Sequence, residues 1–132
     1  MKRIKYPKLK EIIEYNKFIL KEIKVKKSDK PKVLSLLKIR DSIQNCKKFK
    51  GDIYNKATCL LENLIQKHPF ASGNRRTALF TTLVFLKDNN VTPKVKNEPK
   101  SAKVLIGIRE GFYNSLEINN WLENGKIRKF KR

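Results

Sequence analysis

A chain of 132 residues, 39% of them hydrophobic, is long enough for one modest core and too apolar to be a disordered segment. Its 32 Lys and Arg against 12 Asp and Glu give a net charge of +20, which attracts nucleic acid, nucleotides and acidic proteins without choosing among them. The lysines are spread over the whole chain with few aromatics among them, so a solvated lysine-rich surface is favoured over a dedicated nucleic-acid face. The longest apolar run, near Leu83 to Leu86, is far too short to span a bilayer. The basic start, MKRIKYPKLKEIIEY, runs into glutamates and does not read as a signal peptide. Cys46 and Cys59 sit in no metal-type spacing, so the expected home is the reducing cytoplasm.

Neither a repeat nor a low-complexity linker divides the chain, and residues 1–132 are expected to form a single domain. After Pro7, LKEIIEYNKFILKEI predicts a first helix with Leu9, Ile12, Ile13 and Leu20 near one face. Ser28-Asp29-Lys30-Pro31 is a helix-start signal, and VLSLL predicts a short helix after it. Residues 39–54 are less regular and carry a Gly-Asp pair, which suggests an extended flap or hairpin. Lys48 and Lys50 read as solvated residues of that flap. In NKATCLLENLIQK the apolar positions 57, 60, 61, 64 and 65 make the stripe of an amphipathic helix, which should stop before His68-Pro69. RRTALFTTLVFLKDNN is apolar on nearly all sides and predicts the central, buried helix, ended by Asn89-Asn90. Pro93 and Pro99 bracket a loop. SAKVLIGIREGFY predicts a helix closing at Gly111, and SLEINNWLENG a last one with Ser115 as N-cap and Gly125 as its stop. Trp121 and Leu122 should pack in the core, and the tail KIRKFKR should be a frayed, solvated end. The fold class is all-α, with at most one small β-hairpin.

The chemistry concentrates in HPFASGNRR, residues 68–76, between two helices. The backbone N–H groups of a helix's first turn have no intrahelical partner and carry the positive end of the helix dipole. Gly73 lets a ligand approach the backbone, and Asn74 tolerates unusual dihedrals. Such a turn can cradle phosphates, and Arg75 and Arg76 can bond phosphate oxygens bidentately. His68, the only histidine, stands across the loop, and an imidazole can take a proton from a hydroxyl near neutral pH. Base, cradle and arginines together point to phosphoryl or nucleotidyl transfer to a hydroxyl.

HPFxxGNxR in this setting resembles the Fic/Doc family motif HxFx(D/E)GNxR, strongly over residues 54–88 and weakly elsewhere. The short chain, the run from Lys56-Ala57 to Lys67 and the Arg-Thr-Ala-Leu after the motif resemble the Doc (death-on-curing) branch. The resemblance implies a compact, helical Fic-type fold and ATP as donor. Fic proteins move AMP onto a target Ser, Thr or Tyr. Doc-type proteins bind the nucleotide the other way round and move the γ-phosphate onto elongation factor Tu. On the same basis His68 would be the general base, Pro69 and Phe70 structural parts of the motif, and Phe70 the anchor of the loop. Gly73 and Asn74 would form the anion hole, Arg76 would hold a phosphate, and residues 39–52 would be a flap aligning the target. The expected partners are a protein target, a translation elongation factor in the Doc-like case, and an acidic antitoxin protein.

Two departures favour the Doc-type mode: Arg75 stands where AMP-transferring members have glycine, and Leu79 stands where the Fic pattern has a second arginine. A third departure bears on activity itself. Ser72 replaces the acidic residue that holds Mg²⁺, and a hydroxyl is a weak Mg²⁺ ligand beside a carboxylate. Ser72 reads better as an N-terminal capping hydroxyl than as a metal ligand. A catalytically degenerate protein that binds nucleotide, nucleic acid or a partner is the alternative this leaves open. Thr58 to Asn63 formally fits the inhibitory pattern (S/T)xxxE(G/N) of autoinhibited members, but it lies inside a predicted core helix.

Overall fold

The computed structural model describes residues 3–23 and 30–131. Among them are six α-helices: α1 (Leu9–Ile23), α2 (Leu36–Lys48), α3 (Ile53–Lys67), α4 (Asn74–Asp88), α5 (Ala102–Arg109) and α6 (Ser115–Asn124). A 3₁₀ turn, Pro99–Ser101, leads into α5. The fold is all-α, with no sheet among the described residues.

The amphipathic stripe of α3 is the centre of the packing. Ala57, Leu60, Leu61, Leu64 and Ile65 are all at most 2% exposed, and fully burying a side chain the size of leucine contributes about 1.5–3 kcal/mol. That stripe meets α2, α4, α5 and α6, so α3 is as central as α4. α4 had been expected to hold the centre alone. It packs between α3, α1 and α5, and it buries threonines as well as apolar residues. Thr82 Oγ1 returns its proton to the Ala78 carbonyl at 2.8 Å, while Thr81 Oγ1 is buried without a hydrogen-bond partner among the described residues. Tyr15 and Phe18 of α1 pack on Phe80 of α4, with ring centroids 5.1 and 5.5 Å apart. That contact sets α1 beside the loop that opens α4.

Four sequence expectations need correction. Residues 39–48 are helix, not flap or hairpin, because Ser35 caps the N–H of Lys38 and Ile39, Ile43 and Cys46 form a buried face. Arg40, Asp41, Gln44 and Asn45 between those positions dilute the pattern in the sequence. Val33 is not in a short helix. It makes an isolated antiparallel bridge with Phe70, and the helix starts three residues later. Ser28 and Asp29 of the supposed start signal lie outside the described residues. The last helix is capped by Asn114 rather than Ser115, through a capping box with Glu117. The tail does not fray over its whole length: the Arg128 guanidinium bonds Glu117 and lies 3.9 Å from the Phe112 ring centre, and Phe130 packs edge-on against Phe112. Trp121 and Leu122 are core residues, as expected. No described helix is long and apolar enough to cross a membrane.

Candidate active site

The loop from His68 to Gly73 is fixed at both ends by left-handed backbone. His68 closes α3 at φ 52°, ψ 58°, and Gly73 opens α4 at φ 75°. A left-handed non-glycine residue ahead of a proline is strained by about 1–3 kcal/mol, and it persists only where the surroundings over-determine it. Here they do so with backbone hydrogen bonds from residues 32–35. Leu34 N–H and Ser35 N–H donate to the Pro69 carbonyl at 2.8 and 3.2 Å, and Ala71 N–H donates to the Lys32 carbonyl at 3.0 Å. Residues 30–35 are therefore the extended segment alongside the motif loop, not residues 39–52. Leu34, Leu36 and Leu37 stand exposed at its end.

Asn74 holds the loop from inside. It is buried, its Oδ1 accepts from Phe70 N–H at 2.9 Å, and its Nδ2 donates to the Phe70 carbonyl at 2.8 Å. Both ends of the amide are thus engaged with Phe70, whose ring is 1% exposed and anchors the loop. This leaves the backbone N–H of Asn74, not its side chain, as the group to face an anion. No side chain caps the first turn of α4. A residue from α1 completes the frame: Asn16 Nδ2 donates to the Ser72 carbonyl and to Thr77 Oγ1, each at 3.0 Å. A Cβ on Gly73 would come within 3.0 Å of Leu20 on the same helix.

The outer face of the loop lines an open cavity of about 260 Å³, bounded by His68, residues 71–76 and Arg109. The motif residues of the sequence are therefore brought together, with Pro69 and Phe70 buried behind them. Ser72 contributes a neutral hydroxyl. Arg75 is exposed, and its side chain makes no hydrogen bond or ion pair among the described residues. Arg76 is half-buried, its Nε donating to Asn97 Oδ1 at 2.6 Å. Burial, then the charges of Arg109, Arg75 and Lys38, hold the His68 pKa below the ordinary imidazole value. A neutral ring nitrogen is the form that accepts a proton.

Three residues of this site carried no sequence signal. Arg109 ends α5, where its Nη1 donates to the backbone and side-chain oxygens of Gln66, both at 3.3 Å. Asn97 sits in the loop between the prolines, and Asn16 lies mid-helix. All three act across long sequence separations that local pattern does not register. The position of the absent second motif arginine, Leu79, is fully buried and points its bulk into the core. Thr58 is likewise buried mid-helix, donating to the Tyr54 carbonyl, so the inhibitory pattern there is part of the core.

The resemblance implies an acidic residue holding Mg²⁺ at position 72, and the residues present do not fit a protein-held Mg²⁺. The cavity wall supplies a hydroxyl, an imidazole and three guanidiniums, and no carboxylate. Among the described residues no cluster of His, Cys, Asp or Glu could hold a metal ion. Mg²⁺ favours hard anionic oxygen, and three adjacent cations repel it.

No curated protein matches the chain. A model of the Fic/DOC family matches residues 6–86, more than half of its length and the whole of the motif loop. With the helix–loop–helix geometry, the buried phenylalanine and the left-handed glycine all in place, the chain belongs to the Fic/DOC family.

Proposed function

We propose that the protein transfers the γ-phosphoryl group of ATP to a serine or threonine hydroxyl of another protein. A translation elongation factor is the favoured target. The observation that carries this reading is one cavity in which a histidine whose pKa is held below the ordinary value faces an uncapped helix start and arginines. The unprotonated ring nitrogen of His68 takes the proton of the target hydroxyl. The hydroxyl oxygen forms a bond to the γ-phosphorus, the bond from that phosphorus to the bridging oxygen breaks, and ADP leaves with the electron pair. The backbone N–H groups at Gly73 and Asn74, with Arg75 and Arg76, bind the phosphate oxygens. At about 260 Å³ the cavity is smaller than the 300–1,000 Å³ of drug-sized sites, which suits the reacting end of a nucleotide better than the whole of it. Arg75 after the motif asparagine and the burial of Leu79 favour phosphoryl over AMP transfer. AMP transfer to a protein hydroxyl is the second reading, with which the Gly73-Asn74 turn is equally compatible.

The target segment would lie along residues 30–35, where exposed Leu34, followed by exposed Leu36 and Leu37 at the start of α2, offers apolar contact next to the motif loop. An acidic antitoxin is the natural neutraliser of a +20 surface. We place the reaction in the cytoplasm: both cysteines are free, and burial pushes the Cys46 thiol up to about 12.

The test incubates purified protein with cell lysate and ATP labelled at the α or the γ position. His68→Asn is the control, because asparagine tolerates the left-handed backbone and is no base at neutral pH. His68-dependent label from γ-labelled ATP alone supports the reading. Label from the α position makes the protein an AMP transferase, and no label from either refutes both.

A further inference from the structure

The cavity carries more positive charge than the motif accounts for. Arg75 and Arg76 belong to the motif loop, but Arg109 enters from the end of α5, beyond the matched part of the chain. It is held there by the neutral oxygens of Gln66, and Gln66 Nε2 in turn donates to the Ile108 carbonyl at 2.8 Å. This reciprocal bonding fixes the end of α5 to the end of α3, one residue from His68. The cost of gathering three guanidiniums without a carboxylate among them is mutual repulsion, and it is relieved when a polyanion binds. Ser72 makes the same point from the other side, since a hydroxyl there offers no anionic ligand for a dication.

We propose that Arg109 is a donor-binding residue, and that with Arg75 and Arg76 it neutralises the polyphosphate directly, so that ATP binds in this cavity without a divalent cation. A guanidinium fork matches phosphate oxygens bidentately, and it is charged at every accessible pH. The arginines thus supply in fixed positions the charge that a bound dication would otherwise bring. The depressed pKa of His68, to which Arg109 is the largest charge contributor after burial, is consistent with its guanidinium facing the same space. The inference rests on reading the cavity as the donor's phosphate site.

The experiment is calorimetric titration of ATP into the full chain, once in EDTA and once in excess magnesium, for wild type, Arg109→Gln and Arg109→Lys. The expected result is wild-type affinity equal within about threefold in the two buffers. Arg109→Gln should lose at least tenfold in both, which is about 1.4 kcal/mol. Arg109→Lys should recover part of it, since the charge stays and the fork goes. Arg109 is exposed, so the variants should fold, with thermal melting as the check. Should the glutamine variant fail to fold, the lysine variant and the wild-type buffer comparison decide the matter. A tenfold or greater loss of wild-type binding in EDTA overturns the inference, as does unchanged binding in Arg109→Gln. Metal-free, Arg109-dependent binding without label transfer supports it and removes the transferase reading. Transfer together with ATP binding that is lost in EDTA does the reverse. No binding in either buffer overturns both.

Discussion

Asn74 is the residue for which fold and function make different demands, and truncating it separates them. In Asn74→Ala the Phe70 N–H and carbonyl, now bonded at 2.9 and 2.8 Å, lose their partners in a buried environment. Each abandoned buried polar group costs about 1–3 kcal/mol, and the better helix propensity of alanine returns about 0.5. The net loss should be roughly 1.5–5.5 kcal/mol, a large share of the 5–15 kcal/mol typical of a domain. For a chain of this length that lowers Tm by roughly 5–20 °C. Asn74→Asp keeps the acceptor for Phe70 N–H but sets a carboxylate oxygen against the Phe70 carbonyl, a repulsion that the gain of about 0.3–1 kcal/mol from the helix start does not offset. It should therefore be less stable than the wild type as well. The assay is thermal and urea unfolding in the absence of nucleotide. A residue that only contacts ligand would leave these curves unmoved. An Asn74→Ala loss below about 0.5 kcal/mol, or an Asp variant as stable as the wild type, would refute the clamp.

His68 is the chain's only histidine, so its ring protons should be the only imidazole resonances in a proton NMR spectrum, and their titration midpoint should fall below the ordinary value of about 6.5. Because the folded value is lowered, the unfolded chain takes up the proton first as pH falls. The stability contribution is therefore full above about 6.5 and is lost as pH drops through the folded midpoint. Arg109→Gln should raise the midpoint, and a wild-type midpoint at or above 6.5 would contradict the assigned surroundings. Thr81→Val replaces a buried, unpartnered hydroxyl by a methyl group and should stabilise the fold by about 1 kcal/mol in urea unfolding; a destabilisation of that size would mean the hydroxyl has a partner. Ser72→Asp should make ATP binding respond to magnesium, weakening it several-fold in EDTA and restoring it with the cation. Equal titration curves in the two buffers would show that position 72 does not face the phosphates.

The helix pattern was legible where burial alone decides it. The boundaries of α1 match the sequence reading, and α3 differs only in starting two residues earlier, at its Asp52 capping box. The motif was legible because its chemistry is contiguous: His68, Gly73, Asn74 and the two arginines lie on one loop. The reading failed where a decision was made across the chain. The sequence of α2 suggests a flap because its apolar positions are sparse and Lys48, Lys50 and the Gly51-Asp52 pair follow them, and its buried face is evident only against α3. Val33 was taken for helix because hydropathy cannot register the Pro69 carbonyl waiting at 2.8 Å from Leu34 N–H. The tail was taken for a frayed end because its cations seemed to need water, whereas Arg128 finds Glu117 and two aromatic rings.

The same division explains how a motif can lose its acid and keep its shape. The loop conformation does not depend on residue 72 having any particular side chain: position 72 is held through its carbonyl by Asn16, and its neighbours are held by Asn74 and by residues 32–35. Substituting the acid therefore changes the charge of the cavity without unfastening its backbone. What must change in compensation is charge, and charge can be supplied from any element that reaches the cavity. α5 reaches it because Gln66 joins the ends of α3 and α5, so an arginine there adds to the site without disturbing the loop. Arg76 is positioned in the same way by Asn97 from the following loop. The backbone of the site thus lies within residues 6–86, which the family model matches, while one of the three arginines, Arg109, reaches it from beyond them. The charge of such a site can change without any change to the loop that carries it.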